Sequence, residues 1–314
     1  MSAPIVVTMG VHVLDVLARP IVEIPEGQGG ELVEEIRATA AGTAGGTALT
    51  LAKLGAQTRS AGAIGTDPLG DLLLALLERG GVDTAMLHRR PDVQTSASVL
   101  PIRPNGDRPA FHVVGANATY TPADVDAAAI AAADHLHLGG PEFLGGDAAA
   151  EILAAARAAG TSTSADLLAP GEPGVLEWIA AALPHLDMLL PNEEQLLGLT
   201  GAADVVAAAR ALTDRGVGVV AVTRGTRGAL IVDADVVLEV PAYAIETVDT
   251  TGCGDAFSAG FIFGRCLGRG YEDAARLGCA VAALVAQGLG SDHGSFDLGE
   301  ADRFAAASAT LPMG

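Results

Sequence analysis

The chain has 314 residues, with 18 basic against 38 acidic side chains and a formal net charge of −20, which argues against nucleic acids or anionic membranes as partners, since both are bound by clustered basic residues. Half of the residues are hydrophobic, yet no run reaches the ~18 to 20 uninterrupted apolar residues of a membrane-spanning helix, and the length suits one large α/β domain with an appendage. Lys53 is the only lysine, so an anionic ligand would have to rely on backbone N–H groups, a few arginines and Mg²⁺.

Met1-Ser2-Ala3-Pro4 lacks the basic start of a secretory leader and the apolar run from Ile5 reads as a strand, so a cytoplasmic protein is expected. That run leads into Gly10-Val11-His12-Val13-Leu14-Asp15, read as a short apolar strand ending in a carboxylate. An aspartate where a parallel strand gives out lies at the edge where α/β proteins bind ligands; a plain strand-end cap is the alternative. Residues 16–40 alternate apolar and polar types around Pro20, Pro25 and a Gln28-Gly29-Gly30 turn, which predicts strands and turns. Next comes Ala41-Gly42-Thr43-Ala44-Gly45-Gly46-Thr47-Ala48, a glycine-rich entry to a helix that lets backbone approach a ligand. Over roughly 93–116, two apolar runs flank the polar Pro104-Asn105-Gly106-Asp107, a hairpin pattern.

From about 120 onward, helices near 123–132, 147–159 and 202–215 alternate with strands near 135–139, 162–166, 187–190 and 218–223, a rhythm that predicts a parallel sheet covered on both faces. His135 and His137 share one strand face, either as two metal ligands or as strand histidines with ordinary hydrogen bonds. Pro191-Asn192-Glu193-Glu194-Gln195 follows a strand; its carboxylates suit water-coordinated Mg²⁺ or simply an acidic first helical turn. Thr223-Arg224-Gly225-Thr226-Arg227-Gly228 reads either as a phosphate-facing loop with added arginine charge or as a β-turn.

The string Asp249-Thr250-Thr251-Gly252-Cys253-Gly254-Asp255-Ala256-Phe257 sets two glycines and a carboxylate on the start of an apolar helix. The N–H groups of Gly252, Cys253 and Gly254 then face a phosphoryl group at the positive helix end, and Asp255 is assigned as the general base that takes a hydroxyl proton. An ordinary capped glycine loop fits the same few residues. Three cysteines, at 253, 266 and 279, have neither metal-ligand spacing nor a disulfide framework; Cys253 is either a thiol activated by the helix N-terminus or a small residue that fits. A NAD-dependent dehydrogenase is disfavoured, because no Gly-x-Gly-x-x-Gly follows the first strand.

The 249–257 string closely resembles the C-terminal signature of the ribokinase-like, or PfkB, family of carbohydrate and nucleoside kinases, with Cys253 in place of the usual alanine. The resemblance implies Asp255 as catalytic base and Gly252, Cys253 and Gly254 as anion hole. Gly10 and Asp15 keep the spacing of a family pair whose aspartate binds sugar hydroxyls. At the family's Gly-Gly-x-x-x-Asn-x-Ala, Ala41 stands at the first glycine and Gly46 at the asparagine; Gly42, Gly46 and Asn117 join Asp15 as substrate-side candidates. Gly62 to Gly70 fits a further family glycine pattern. Asn192 begins the family's Asn-x-x-Glu, but Gln195 occupies the glutamate, with Glu194 beside it as a water-mediated Mg²⁺ candidate. Thr223, Gly225 and Gly228 match the nucleotide loop, with helix 272–287 and residues 288–291 expected around adenine. The implied fold is α/β and ribokinase-like, a single domain over 1–314 with a central, mostly parallel β-sheet flanked by helices on both faces and a small β lid from about 11–40 and 93–116. The implied activity is ATP- and Mg²⁺-dependent phosphorylation of a hydroxymethyl group on a pentose or hexose. A nucleoside (adenosine-like) kinase and a catalytically weakened binding protein are the alternatives. K⁺, held by carbonyls around Asp249, Thr251 and 288–295, is a further expected cofactor, and the lid's strand edges imply a homodimer.

Overall fold

A computed structural model describes residues 2–312. The apolar runs become thirteen strands: β1 (Ile5–Gly10), β2 (Val13–Arg19), β3 (Glu35–Ala41), β4 (Gln57–Gly65), β5 (Asp83–Arg90), β6 (Ala97–Pro101), β7 (Phe111–Val113), β8 (His135–Gly139), β9 (Ser162–Asp166), β10 (Met188–Leu189), β11 (Val219–Thr223), β12 (Ala229–Val232) and β13 (Val237–Val240). Nine form one sheet in the order β13-β12-β11-β10-β9-β8-β1-β4-β5, parallel from β11 to β5, with β12 antiparallel to both β11 and the edge strand β13. Val219 to Val222 in β11 are all almost fully buried, as expected of a strand covered on both faces. Alternate residues feed two cores: Val7 and Met9 join one layer, while Val6 joins Phe257 and Phe261 of the helix Cys253–Cys266 in the other. Burying each of those phenylalanines contributes roughly 1.5–3 kcal/mol, so the helix carrying the glycine turn is firmly anchored to the sheet.

The remaining four strands form a separate sheet, β3-β2-β6-β7, assembled from both expected lid segments. Its register aligns Thr39, Asp15, Ser98 and His112 on one row; the first three are buried on the inner face, and His112 at the outer strand is exposed. The alternate row, Ala38, Val16, Val99 and Phe111, leaves Val99 53% and Phe111 57% exposed. This topology corrects the reading of 10–15 as one strand. The parallel strand ends at Gly10, the Val11 N–H bonds the Gly139 carbonyl, and Asp15 belongs to β2 of the lid.

Strands at 135–139 and 162–166 and helices Gly146–Ala158, Val205–Thr213 and Tyr271–Val285 match their expected positions. The helix expected over 123–132 is broken into Pro122–Asp124 and Ala127–Ala131, because Asp126 turns its side chain to cap the Ala129 N–H. His135 and His137 are fully buried and bonded to Ser162, Ser164 and the Thr43 carbonyl, and burial pushes them down to about 3 and about 4, so both are neutral structural groups. Among the described residues, no single helix is long and apolar enough to cross a membrane.

Candidate active site

The carboxyl ends of the parallel strands fall on one edge. Gly10, Gly139 and Asp166 are adjacent in register, and an isolated bridge pairs Asn192 with Thr223 farther along. The chain runs outward from β1 in both directions, through β4 on one side and β8 on the other, so this edge contains the switch point at which open α/β sheets bind ligands. Helices Gly45–Leu54 and Cys253–Cys266 both bring their N-termini here, since Gly46 lies directly against Asp255.

Asp249 folds the turn that starts the second helix. Its Oδ1 accepts from the Thr251 N–H at 3.0 Å and the Thr251 hydroxyl at 2.8 Å, while Oδ2 accepts from the Gly290 N–H at 2.9 Å. Gly252 takes φ +75°, the left-handed region that favours glycine, and Ser291 fills the space where a Cβ would stand. The Cys253 N–H is already bonded to the Thr250 carbonyl at 3.2 Å. Among the described residues, those of Gly252, Gly254 and Asp255 have no such partner, so the free donors are shifted from the expected trio toward the helix's first turn. Asp255 is half-buried; burial, then the charges of Asp166 and Asp15, hold its carboxyl well above the usual range, with Arg108 opposing. A carboxylate of raised basicity beside free N–H donors can take a proton while the donors hold a developing anion.

Next to this turn opens a cavity of about 290 Å³. Thr223, Gly225 and Gly228 line it from the sheet side, Cys253 and Gly254 from the turn, and Cys279, Ala282 and Ala283 from the helix Tyr271–Val285. Its small, largely apolar side chains suit a flat ring with phosphates directed at Gly254. The loop expected to close it, 288–291, packs behind the turn and does not line it; Tyr243, Ile245 and Leu311 are among the residues on the far side. The pfkB family carbohydrate kinase model matches residues 11–296.

The chain belongs to the PfkB family of carbohydrate kinases. An uncharacterized sugar kinase of Archaeoglobus fulgidus is 30% identical over 78% of this chain and 97% of its own length, and the deoxyribokinase of Salmonella typhi is 28% identical over 78% and 80%. A putative ribokinase II from E. coli, solved with ATP and Mg²⁺, superposes with a TM-score of 0.85 over 96% of this chain and 99% of its own, at 24% identity. As a PfkB member the protein is an ATP-dependent carbohydrate kinase with the ribokinase fold.

Asp15 is buried on the inner face of the lid; burial pushes it up to about 6, with the Ser98 hydroxyl and Arg108 pulling the other way. Gly42 lies against the Val11 carbonyl, below the lid's root. Asn117 binds the His12 peptide from both sides, its Oδ1 accepting from the His12 N–H at 3.1 Å and its Nδ2 donating to the His12 carbonyl at 3.0 Å. It therefore holds the crossover between β1 and β2. The 62–70 glycine motif is also architectural: Asp67 caps the helix Pro68–Arg79 and binds Thr95.

Asn192 and Gln195 form a reciprocal cap at the start of the helix Glu193–Thr200. The Gln195 amide also donates to the carbonyls of Leu167 at 2.9 Å and Ala169 at 3.2 Å, so it pins the loop that follows β9. Glu194 is exposed. Arg224 and Arg227, expected to face phosphate, instead pair with Glu239 at 2.6 Å and with Glu193. Nor is Cys253 an activated thiol, since burial pushes it up to about 12.

Sequence reasoning missed Asp166. It closes β9, accepts from the Leu167 N–H at 2.8 Å and the Ser258 hydroxyl at 3.0 Å, and burial pushes it up to about 7. Glu142 stands near enough to raise it further, and its Oε2 is buried without a partner among the described residues. The strand-end logic applied to Asp15 would have found Asp166. A larger groove of about 530 Å³ opens among Asp134, Asp187 and Arg265, but none of the motif residues lines it, so volume alone does not locate this site.

Proposed function

We propose that the chain transfers the γ-phosphoryl group of ATP to a hydroxymethyl group of a pentose or hexose, with Asp255 as general base and the turn Gly252-Cys253-Gly254 as anion hole, its donors being the free N–H groups of Gly252, Gly254 and Asp255 rather than that of Cys253. One observation carries the reading: the Asp255 carboxylate lies against Gly46 at the start of one helix and follows directly on Gly254, which lines the nucleotide cavity, while burial and the charges of Asp166 and the lid's Asp15 raise its basicity. The acceptor lies under the lid, bounded by Asp15, Gly42 and Gly46, with Asn117 acting through the His12 peptide. Adenine and ribose occupy the 290 Å³ cavity beside Thr223, Gly225 and Gly228, and Asn192 fixes the neighbouring strand end.

Mg²⁺ fits the oxygen donors at this edge. It commonly takes one or two carboxylates and completes its octahedron with waters and phosphate oxygens. Asp166 and the unpartnered Oε2 of Glu142 supply such groups, and Glu194 reaches only through water. When bound, the ion would neutralise charge on the phosphates. Both Asp249 oxygens and the Thr251 hydroxyl are used within the turn, so K⁺ would be held by backbone carbonyls there. The protein works in the cytoplasm, as its three free cysteines suit, and as a homodimer joined through the outer lid face.

Incubation with ATP, Mg²⁺ and separate panels of sugars and nucleosides tests this reading. Phosphorylated sugar is expected. Turnover of nucleosides alone would move the acceptor to that class, and ligand binding without transfer would leave a binding protein. Gln195 does not favour the last outcome, since it serves as a cap.

A further inference from the structure

Transferring a phosphoryl group concentrates negative charge on its oxygens, and this chain has few cations to meet it. The Nζ of Lys53 is committed to the carbonyls of Asp292, His293 and Gly294 at 2.7, 2.9 and 2.8 Å. Arg224 and Arg227 are held by Glu239 and Glu193.

Arg108 is different. It leaves the turn between β6 and β7, which is closed by the Gly106 N–H on the Arg103 carbonyl and the Arg103 N–H on the Asp107 carbonyl, each at 2.9 Å. The base of that turn is tied to the lid by the Ile102 N–H on the Ala18 carbonyl, also at 2.9 Å. From there Arg108 Nη1 donates to the Thr251 hydroxyl at 3.3 Å, immediately before Gly252. Its charge is felt at Asp15 on the lid, at Cys253 in the turn and at Asp255 on the helix. The guanidinium therefore sits at the anion-hole turn, within electrostatic reach of the acceptor-side carboxylate. Among the described residues its one side-chain bond is long and goes to a neutral hydroxyl, a weak hold, and most of its fork is left for phosphoryl oxygens.

We propose that Arg108 is a catalytic residue of this kinase, carried by the lid onto the transferring phosphoryl group. The inference rests on the phosphotransfer reading above. As the bond from acceptor oxygen to γ-phosphorus forms, the bond from γ-phosphorus to the β,γ-bridging oxygen breaks and its electron pair leaves with ADP. The hydroxyl proton passes to Asp255. Arg108 meets the charge on the oxygens of the group in flight, which the N–H donors of the turn reach from the helix side. Lid closure over the acceptor and completion of the charge balance thus become one event, so that phosphate loss to water is disfavoured while the lid is open.

The test compares Arg108→Gln, Arg108→Lys and Arg108→Ala with wild type. Arg108→Gln should lower kcat by about 10² to 10³-fold, the scale of one preorganised donor, with acceptor KM little changed. Arg108→Lys should fall between, since it keeps charge without the fork. Added guanidinium should restore part of the Arg108→Ala rate saturably and leave wild type unaffected, a response that lost packing would not give. A folded Arg108→Gln protein with near wild-type kcat overturns the proposal, as does a rise in acceptor KM alone, which would make Arg108 an acceptor contact. Absence of phosphoryl transfer by the wild-type chain overturns the phosphotransfer reading itself and this inference with it.

Discussion

Gly46 and Asp255 are in contact across the site: a Cβ built on Gly46 would fall inside the Oδ2 of Asp255 and stand 2.9 Å from its Cγ. The glycine found where the family pattern has asparagine therefore leaves room for the carboxylate proposed as the base. Gly46→Ala should push the carboxylate aside and lower kcat about 10-fold or more, the scale of misplacing a catalytic group by an ångström. Steady-state kinetics and a melting curve check this; a large fall in Tm with kcat per folded molecule unchanged would contradict it.

Asp255→Asn keeps size and much of the hydrogen bonding but cannot accept a proton. Its kcat should fall by ~10² to 10⁴-fold, while ATP affinity holds or improves because a charge near the phosphates is gone. A variant retaining more than about a tenth of kcat, well short of that range, would remove Asp255 from the role of base.

The buried carboxyls fix the sign of two pH effects. Asp255 must be ionised to act, and its pKa is raised, so kcat/KM should fall on acidification at a pH above the ordinary carboxylate range. Stability runs the other way. Asp166 is raised to about 7, so the folded state holds its proton where the unfolded chain has lost it; this contribution is complete below the unfolded value and is lost as pH rises through about 7. Asp166→Asn should thus raise Tm at pH 8 relative to wild type and give no gain at pH 4. Denaturation across that range is the measurement, and equal shifts at both ends would refute it.

Gln195→Glu restores the family's glutamate, yet here it would set a carboxylate against the carbonyls of Leu167 and Ala169. Loss of two donors at a buried site should destabilise by about 1–3 kcal/mol, with no gain in Mg²⁺ affinity. A Mg²⁺ titration of the rate showing tighter activation would mean that residue 195 faces the metal after all.

The outer lid row of Val16, Val99 and Phe111 is the apolar surface proposed to meet a second copy. Phe111→Asp and Val99→Asp should each shift a dimer toward monomer in sedimentation at micromolar concentration. A wild-type chain already monomeric there would dismiss this interface.

Local chemistry made much of this legible in advance. The alternating strands and helices, the glycine entry at 41–48 and the 249–257 string each sit where their own residues dictate. What escaped depends on distant partners. Asp166 gains meaning only when Ser258, remote in sequence, donates to it. Arg224 and Arg227 look like phosphate ligands until Glu239 and Glu193 arrive from other elements. Asp15 was noticed as a carboxylate, but the break after Gly10 that moves it into the lid comes from the Gly139 carbonyl and Asn117.

The segment around 290–294 joins three parts that no single strand connects. Lys53 of the helix Gly45–Leu54 gathers its carbonyls, Gly290 binds Asp249 behind the anion hole, and Ser291 donates to the Ala40 carbonyl of lid strand β3 at 2.8 Å. Arg37, on that same strand, pairs with Asp292 at 2.9 Å. A shift of β3 would therefore be passed to the turn proposed to receive phosphate. The two substrates should help one another bind, and linkage requires the help to be mutual: whatever factor the sugar adds to nucleotide affinity, the nucleotide must return to the sugar. Calorimetric titration of each ligand in the presence and absence of the other reads that factor directly, and Arg37→Ala, which loosens the strand from the segment, should bring it toward unity.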